Sequence, residues 1–218
     1  MALKPPVEVP QGAIRLNTDS QKLEFFAQDR WWVMATDPSS GVASRVVWMG
    51  KFDDSSNSGV IDYNQVETTG NSVDFGDLLT VEYYGGSCAS KTRGFYFGGE
   101  VPITDTIQYV EFSTTGNATD FGNLTESMKY DPTGVSDNSR GIRGGGASSP
   151  GPGGVDTIDY WTMSSTGNAV DFGNLTVARR YQSPMNSPIR GIWCGGGTGG
   201  NPSPASNVID YITIQSTG

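Results

Sequence analysis

The sequence predicts an all-β chain of about four small strand-rich units, and three observations carry that expectation. The phrases "TTGNSVDFGDL" at 68–78, "TTGNATDFGNL" at 114–124 and "STGNAVDFGNL" at 165–175 recur almost unchanged. The glycine of the "TG" pair falls at Gly70, Gly116, Gly167 and Gly218, at intervals of 46, 51 and 51 residues. Apolar and polar residues alternate through Ile209-Asp210-Tyr211-Ile212-Thr213-Ile214, the period of a half-buried strand, and no stretch sustains a helical period.

Composition fits a packed repeat protein. The 30 glycines and 12 prolines stand beside 35% hydrophobic and 11% aromatic residues, enough apolar material for a core, so glycine reads as turn chemistry. Fourteen basic against twenty-three acidic residues leave a net charge of −9, which repels phosphate backbones and anionic lipid and argues against nucleic acid as a partner. No apolar run approaches the roughly 20 residues that span a bilayer, and "MALKPPVEVP" lacks the apolar stretch of a secretory signal, so the expected product is soluble and made in the cytoplasm. There is no histidine, which removes the commonest metal ligand and general base. Cys88 and Cys194 sit at different points of different repeats and read as small fillers. Nothing calls for a cofactor or a metal.

In chain order, residues 1–20 read as an N-terminal arm and 21–44 as a short β-meander. The turn cluster "NTDSQ" separates "AIRL" from "KLEFF", and "AQDR" joins "KLEFF" to "WWVMA". The repeats occupy 45–218, with units near 45–78, 79–124, 125–175 and 176–218. Each carries an arginine-led apolar run ending in glycine, from Arg45, Arg93, Arg140 and Arg190, then a variable loop. A second run follows, holding Tyr63, Tyr109, Tyr160 or Tyr211, and then the "TGN" turn and the "DFG" phrase.

Units of about 50 residues with several strands each predict a propeller, whose small sheets bury their faces only against neighbouring sheets. The glycine pairs Gly98-Gly99, Gly145-Gly146 and Gly195-Gly196, the tyrosines Tyr109, Tyr160 and Tyr211, and Arg179 at the opening of the next unit resemble the kelch repeat. The chain departs from that pattern in lacking its outer-strand tryptophan, whose place falls to Phe75, Phe121 and Phe172 or the leucines after them. It also has Gly50-Lys51 in place of the first glycine pair. The resemblance implies a kelch-like β-propeller of about four small blades.

A second resemblance lies in "GAIRLNTDSQKLEFFAQDRWW", which is similar to a short module of bacteriophage virion proteins. Glycine-rich units with "TTGNATDFGNLT" phrases also resemble structural proteins of tailed phages, marine ones in particular. This implies a non-enzymatic virion component: a tail fibre, a neck or head appendage, or a capsid decoration. Its implied partners are other virion proteins, further copies of itself and a host-surface glycan, and its implied place is the virion.

The repeated polar residues read as structural. Gly70-Asn71, Gly116-Asn117 and Gly167-Asn168 supply tight turns. Asp74, Asp120 and Asp171 of "DFG" read as caps on backbone amides of their own turn, since a calcium loop needs more oxygen ligands close together. Asp62, Asp159 and Asp210 precede the tyrosines and read as structural hydrogen-bonding groups or as part of a solvated face; Gln108 stands at that position in the second unit. "GIRGGGASSPGPGG" at 141–154 has neither the lysine nor the helix of a phosphate-binding loop. The free-varying loops 51–59, 99–105, 146–154 and 197–207 offer Asp53, Asp54, Asn57, Asn201 and Asn207 as a candidate binding surface.

Two rival readings remain at this point. A lectin would use Trp48, Trp161 and Trp193 as stacking platforms, and a polysaccharide-degrading enzyme would need two carboxylates about 5–10 Å apart. The fourth unit lacks its final strand, for which "KLEFF" at 22–26 or "WWVMA" at 31–35 is the expected donor.

Overall fold

A computed structural model describes residues 9–18, 22–34, 45–51, 58–148, 153–199 and 204–216. The chain forms two compact units, Met1–Gly41 and Val42–Gly218. The described residues are all-β, with no helix.

In the first unit β1 (Ile14–Asn17), β2 (Lys22–Ala27) and β3 (Arg30–Val33) make an antiparallel sheet in the order β1-β2-β3. The two-residue loop Gln28-Asp29 has φ of 52° and 59°, the doubly left-handed turn that matches the twist of a hairpin. Gln11 holds it, its Oε1 accepting from the Gln28 amide at 3.1 Å. Arg15 bridges Glu24 at 2.8 Å and lies over the Trp31 ring at 4.0 Å. Hydrogen bonds from Asn17 and then Arg15 hold the Glu24 carboxyl below its usual range. The expected arm 1–20 is therefore too long: Ile14–Asn17 pairs residue for residue with Lys22–Phe25.

The second unit contains four antiparallel sheets. The first is β4 (Arg45–Lys51), β5 (Ser58–Gln65) and β6 (Val73–Asp77). The second runs from β7 (Gly86–Ala89) through β8 (Arg93–Phe97) and β9 (Thr104–Glu111) to β10 (Thr119–Tyr130). The third holds β11 (Thr133–Ser136) and β12 (Arg140–Gly144), then β14 (Val155–Thr162) and β15 (Val170–Arg179). Its loop strand β13 (Ala147–Ser148) pairs instead with the far end of β10 in the second sheet. The fourth is β16 (Ser183–Asn186), β17 (Arg190–Cys194) and β18 (Ile209–Thr213).

Each apolar core lies between two successive sheets. Ile61, Phe75 and Leu78 of the first meet Tyr96, Val110 and Ala118 of the second. Phe95, Phe97, Ile107, Phe121 and Leu124 of the second meet Trp161, Met163 and Ala169 of the third. Ile142, Ile158, Phe172 and Leu175 of the third meet Trp193 and Ile214 of the fourth. One four- or five-stranded sheet exposes two faces and cannot bury both alone, so the repeat is the minimal device that covers them.

Within the units 79–124, 125–175 and 176–218, "GSCA", "TGVS" and "SPMN" add a first strand, β7, β11 and β16, ahead of each arginine-led run. One further expectation is corrected. The loan of "KLEFF" to the fourth sheet is not made, because β2 is the middle strand of its own sheet and both its edges are taken. β18 ends its sheet among the described residues.

Candidate functional site

The repeated residues converge on the seams between sheets, and each has a definable task there. The strand-opening arginines lie over the tyrosines of their own sheets: Arg45 over Tyr63 at 4.8 Å, Arg93 over Tyr109 at 4.6 Å, Arg140 over Tyr160 at 4.8 Å and Arg190 over Tyr211 at 5.1 Å. The first three also reach across a seam. Arg45 Nη1 donates to the Phe112 carbonyl at 2.8 Å, Arg93 Nη1 to Met163 at 2.9 Å and Arg140 Nη1 to Ile214 at 3.0 Å. A guanidinium has enough donors to do both at once.

The "TGN" turns do more than reverse the chain. Gly116 and Ala118 amides donate to the Phe75 and Asp77 carbonyls of the preceding sheet at 2.7 and 2.8 Å. Gly167 and Ala169 repeat this with Phe121 and Asn123 at 2.8 and 2.7 Å. Asn117 and Asn168 complete the clamp, their Oδ1 atoms accepting from the amides of Asp77 and Asn123 at 3.1 Å. The Gly70-Asn71 turn belongs to the first sheet, and a Cβ on Gly70 would meet open space.

The "DFG" phrases are strands, not turns. They lie in β6, β10 and β15, where the pairing register slips beside Asp62, Gly122 and Asp159. The phenylalanines point into the seams, whereas Asp74, Asp120 and Asp171 are exposed. Of the three, Asp171 caps locally, accepting from the Gly173 amide at 3.2 Å. Melting in excess EDTA should therefore match melting in calcium. A drop beyond about 5 °C on chelation, corresponding to about 1–2 kcal/mol, would overturn the structural assignment.

The residue before the strand tyrosine is buried in the second, third and fourth sheets, as Gln108, Asp159 and Asp210, and half-buried in the first, as Asp62. Thr125 donates from its amide at 3.3 Å and from Oγ1 at 2.5 Å to Asp159. Thr176 treats Asp210 in the same way, at 3.3 and 2.7 Å. The Leu79 amide donates to Gln108 at 2.9 Å. Arg143, its cross-strand neighbour, bonds Asp159 with both partners fully buried, and Arg179 bonds Asp210 at 2.7 Å. In the second sheet the neutral Gln108 faces Tyr96 across the strands and donates to Glu82 at 3.1 Å. The arginine requirement at Arg143 and Arg179 follows from those buried carboxylates, a pairing the repeat alignment alone does not disclose.

One further seam contact is titratable. Asp137 accepts from the amides of Ser139 and Arg140, both at 2.7 Å, and from Gln215 of the fourth sheet. Burial pushes its carboxyl up, but the amides of Arg140 and Ser139, with Gln215 and the Ser139 hydroxyl, outweigh burial and hold it below the usual range. Its contribution to stability is present above the unfolded value of about 4 and is lost as pH falls through the folded value. Asp137→Ala should melt below wild type at pH 7, and the gap should narrow as pH falls below the ordinary carboxylate range. A gap independent of pH would show that the carboxylate charge plays no part.

The other singled-out residues disperse. Asp53, Asp54, Asn57 and Asn201 lie outside the described residues, and Asn207 is exposed on the loop before β18. Trp161 and Trp193 are 2% and 0% exposed and pack in the cores, so they cannot be stacking platforms; Trp48 is exposed. Cys88 and Cys194 are unbridged, and burial pushes the Cys88 thiol up. Among the described residues no three acidic or thiol side chains gather as a metal site. No protein-family model matches the chain, and no curated protein matches it.

Proposed function

We propose that the chain is a non-enzymatic structural component of a bacteriophage virion, in which the stacked sheets act as kelch-like blades that hold variable loops on a rigid frame. The observation that carries this reading is the use of the repeat itself. Its arginines, tyrosines, "TGN" turns and inward phenylalanines hold one sheet to its own strands or to the next. Sequence freedom is left to the loops that follow each arginine-led strand, between β4 and β5, β8 and β9, β12 and β14, and β17 and β18. Such a frame suits an appendage that must survive outside a cell and present a surface. The phrase "GAIRLNTDSQKLEFFAQDRWW" supplies the phage connection. Assembly with other virion proteins, as several copies set by the particle's symmetry, follows from that role.

The test is direct. Particles of the encoding phage, purified on a density gradient and digested, should yield peptides of this chain at several copies per virion. Recovery of the chain only from the unassembled soluble fraction of the lysate would overturn the reading.

A further inference from the structure

The short links between one sheet's last strand and the next sheet's first strand carry an unusual residue at equivalent points: Tyr84, Asp131 and Tyr181. All three have left-handed backbones, with φ of 60°, 47° and 61°. For a tyrosine this conformation is sterically unfavourable, and side chains held this way cluster at binding sites. Backbone hydrogen bonds fix the links in place: the Asp131 amide donates to the Tyr84 carbonyl at 3.0 Å, and the Arg180 amide donates to Gly197 at 3.0 Å.

The links bring aromatic rings together around a groove of about 490 Å³, lined by Tyr83, Tyr84, Glu100, Tyr130, Asp131 and Tyr181. That volume lies in the range of small-ligand sites. The Tyr84 ring meets Tyr83 at 5.0 Å and Tyr130 at 5.8 Å, edge to face, and is 41% exposed; Tyr181 is 54% exposed.

Charge decides what the groove fits. The carboxylate of Glu100 is bridged by Lys129 at 3.2 Å and accepts from Tyr130 Oη at 3.1 Å. Burial holds the Asp131 carboxyl above its usual range, and the charge of Arg180 opposes this only in part. Over two of these rings, on one face each, the place of a ligand cation is held by the protein itself. Lys129 lies 4.8 Å from the Tyr130 centroid, and Arg180 lies 5.0 Å from Tyr181. What the groove still offers is exposed ring surface beside carboxylate and hydroxyl acceptors whose charge is already balanced. A pyranose is the complement of that arrangement, with an apolar C–H face for stacking and hydroxyls around its edge. We infer that this groove is a binding site for a neutral saccharide, stacked on Tyr84 and Tyr181 and hydrogen-bonded by Glu100 and Asp131. The inference stands whether or not the chain is carried on a virion.

Saturation-transfer NMR with cellobiose, maltose and di-N-acetylchitobiose tests it. At least one disaccharide should receive saturation from the protein and should shift tyrosine ring signals of the wild type while leaving indole signals in place. The double variant Tyr84→Asn with Tyr181→Asn keeps residues that tolerate the left-handed backbone, and it should weaken binding at least tenfold with its melting curve retained. Trp48→Ala should bind as wild type does. The inference is overturned if none of the three sugars receives saturation, if transfer persists in the double variant, or if tetramethylammonium shifts the tyrosine signals and no sugar does.

Discussion

Asp159→Ala should cost about 3–5 kcal/mol of folding stability, because it takes the closer counter-charge away from the buried guanidinium of Arg143. Both side chains are 0% exposed, and the remaining carboxylate, that of Glu126, is a longer contact at 3.4 Å from a side chain 30% exposed. The same substitution removes the acceptor for the Thr125 amide and hydroxyl, so the seam between the second and third sheets loses that pair of polar contacts as well. In a chain of this size the loss should appear as a fall in Tm of about 10 °C or more. Two companion variants separate the causes. Asp159→Asn keeps an acceptor for Thr125 but not the charge, and should lie between Ala and wild type. Adding Arg143→Met to Asp159→Asn removes the stranded cation and should recover much of the deficit. A loss below about 1 kcal/mol for Asp159→Ala would mean that water reaches Arg143 and that the pair is not a buried one. In the second sheet neutral Tyr96 and Gln108 occupy the same cross-strand positions, with the carboxylate of Glu82 accepting from Gln108.

Gly122→Val should be nearly as damaging, through sterics rather than charge. A Cβ at this position would stand 2.3 Å from the Gly167 carbonyl oxygen and 2.5 Å from its carbon, and the backbone sits at φ 150°. Neither atom can yield, because Gly167 is itself held by its hydrogen bond to Phe121. The "TGN" turn of the third sheet must then lift off β10. We expect a loss of about 3 kcal/mol or more, in the range of severe overpacking. The amides of Gly167 and Ala169 should lose their protection from hydrogen exchange at the same time, and this local signature separates seam opening from general destabilisation. Gly70→Ala is the control: its Cβ meets nothing within 4 Å, so its effect should stay within about 1 kcal/mol. Retained protection at Gly167 and Ala169 in Gly122→Val would show that the turn does not depend on close approach to the "DFG" glycine.

The sequence by itself determined the all-β class, the repeat period and the identity of the seam residues, and the reason is physical. Period-two alternation reports which face of a strand is buried, and a turn or an aromatic position that recurs at every unit must serve something that also recurs. Tyr63, Tyr109, Tyr160 and Tyr211 could thus be singled out together with Arg45, Arg93, Arg140 and Arg190, although nothing in one dimension says that each arginine lies over its tyrosine. Only the tertiary structure decided which contacts cross from sheet to sheet. "TGN" reads as a local turn because its strand partner lies 40 or 45 residues earlier, at Asp77 and Asn123, and backbone amides have no residue code. β7, β11 and β16 were illegible for a related reason: four-residue strands rich in glycine, serine and other small residues have weak intrinsic preference and exist because the next strand pairs with them. The groove of Tyr84, Asp131 and Tyr181 was hidden most completely. Its residues differ from unit to unit, so they break the very repetition by which the rest of the chain could be read, and only the close approach of three links makes them one surface.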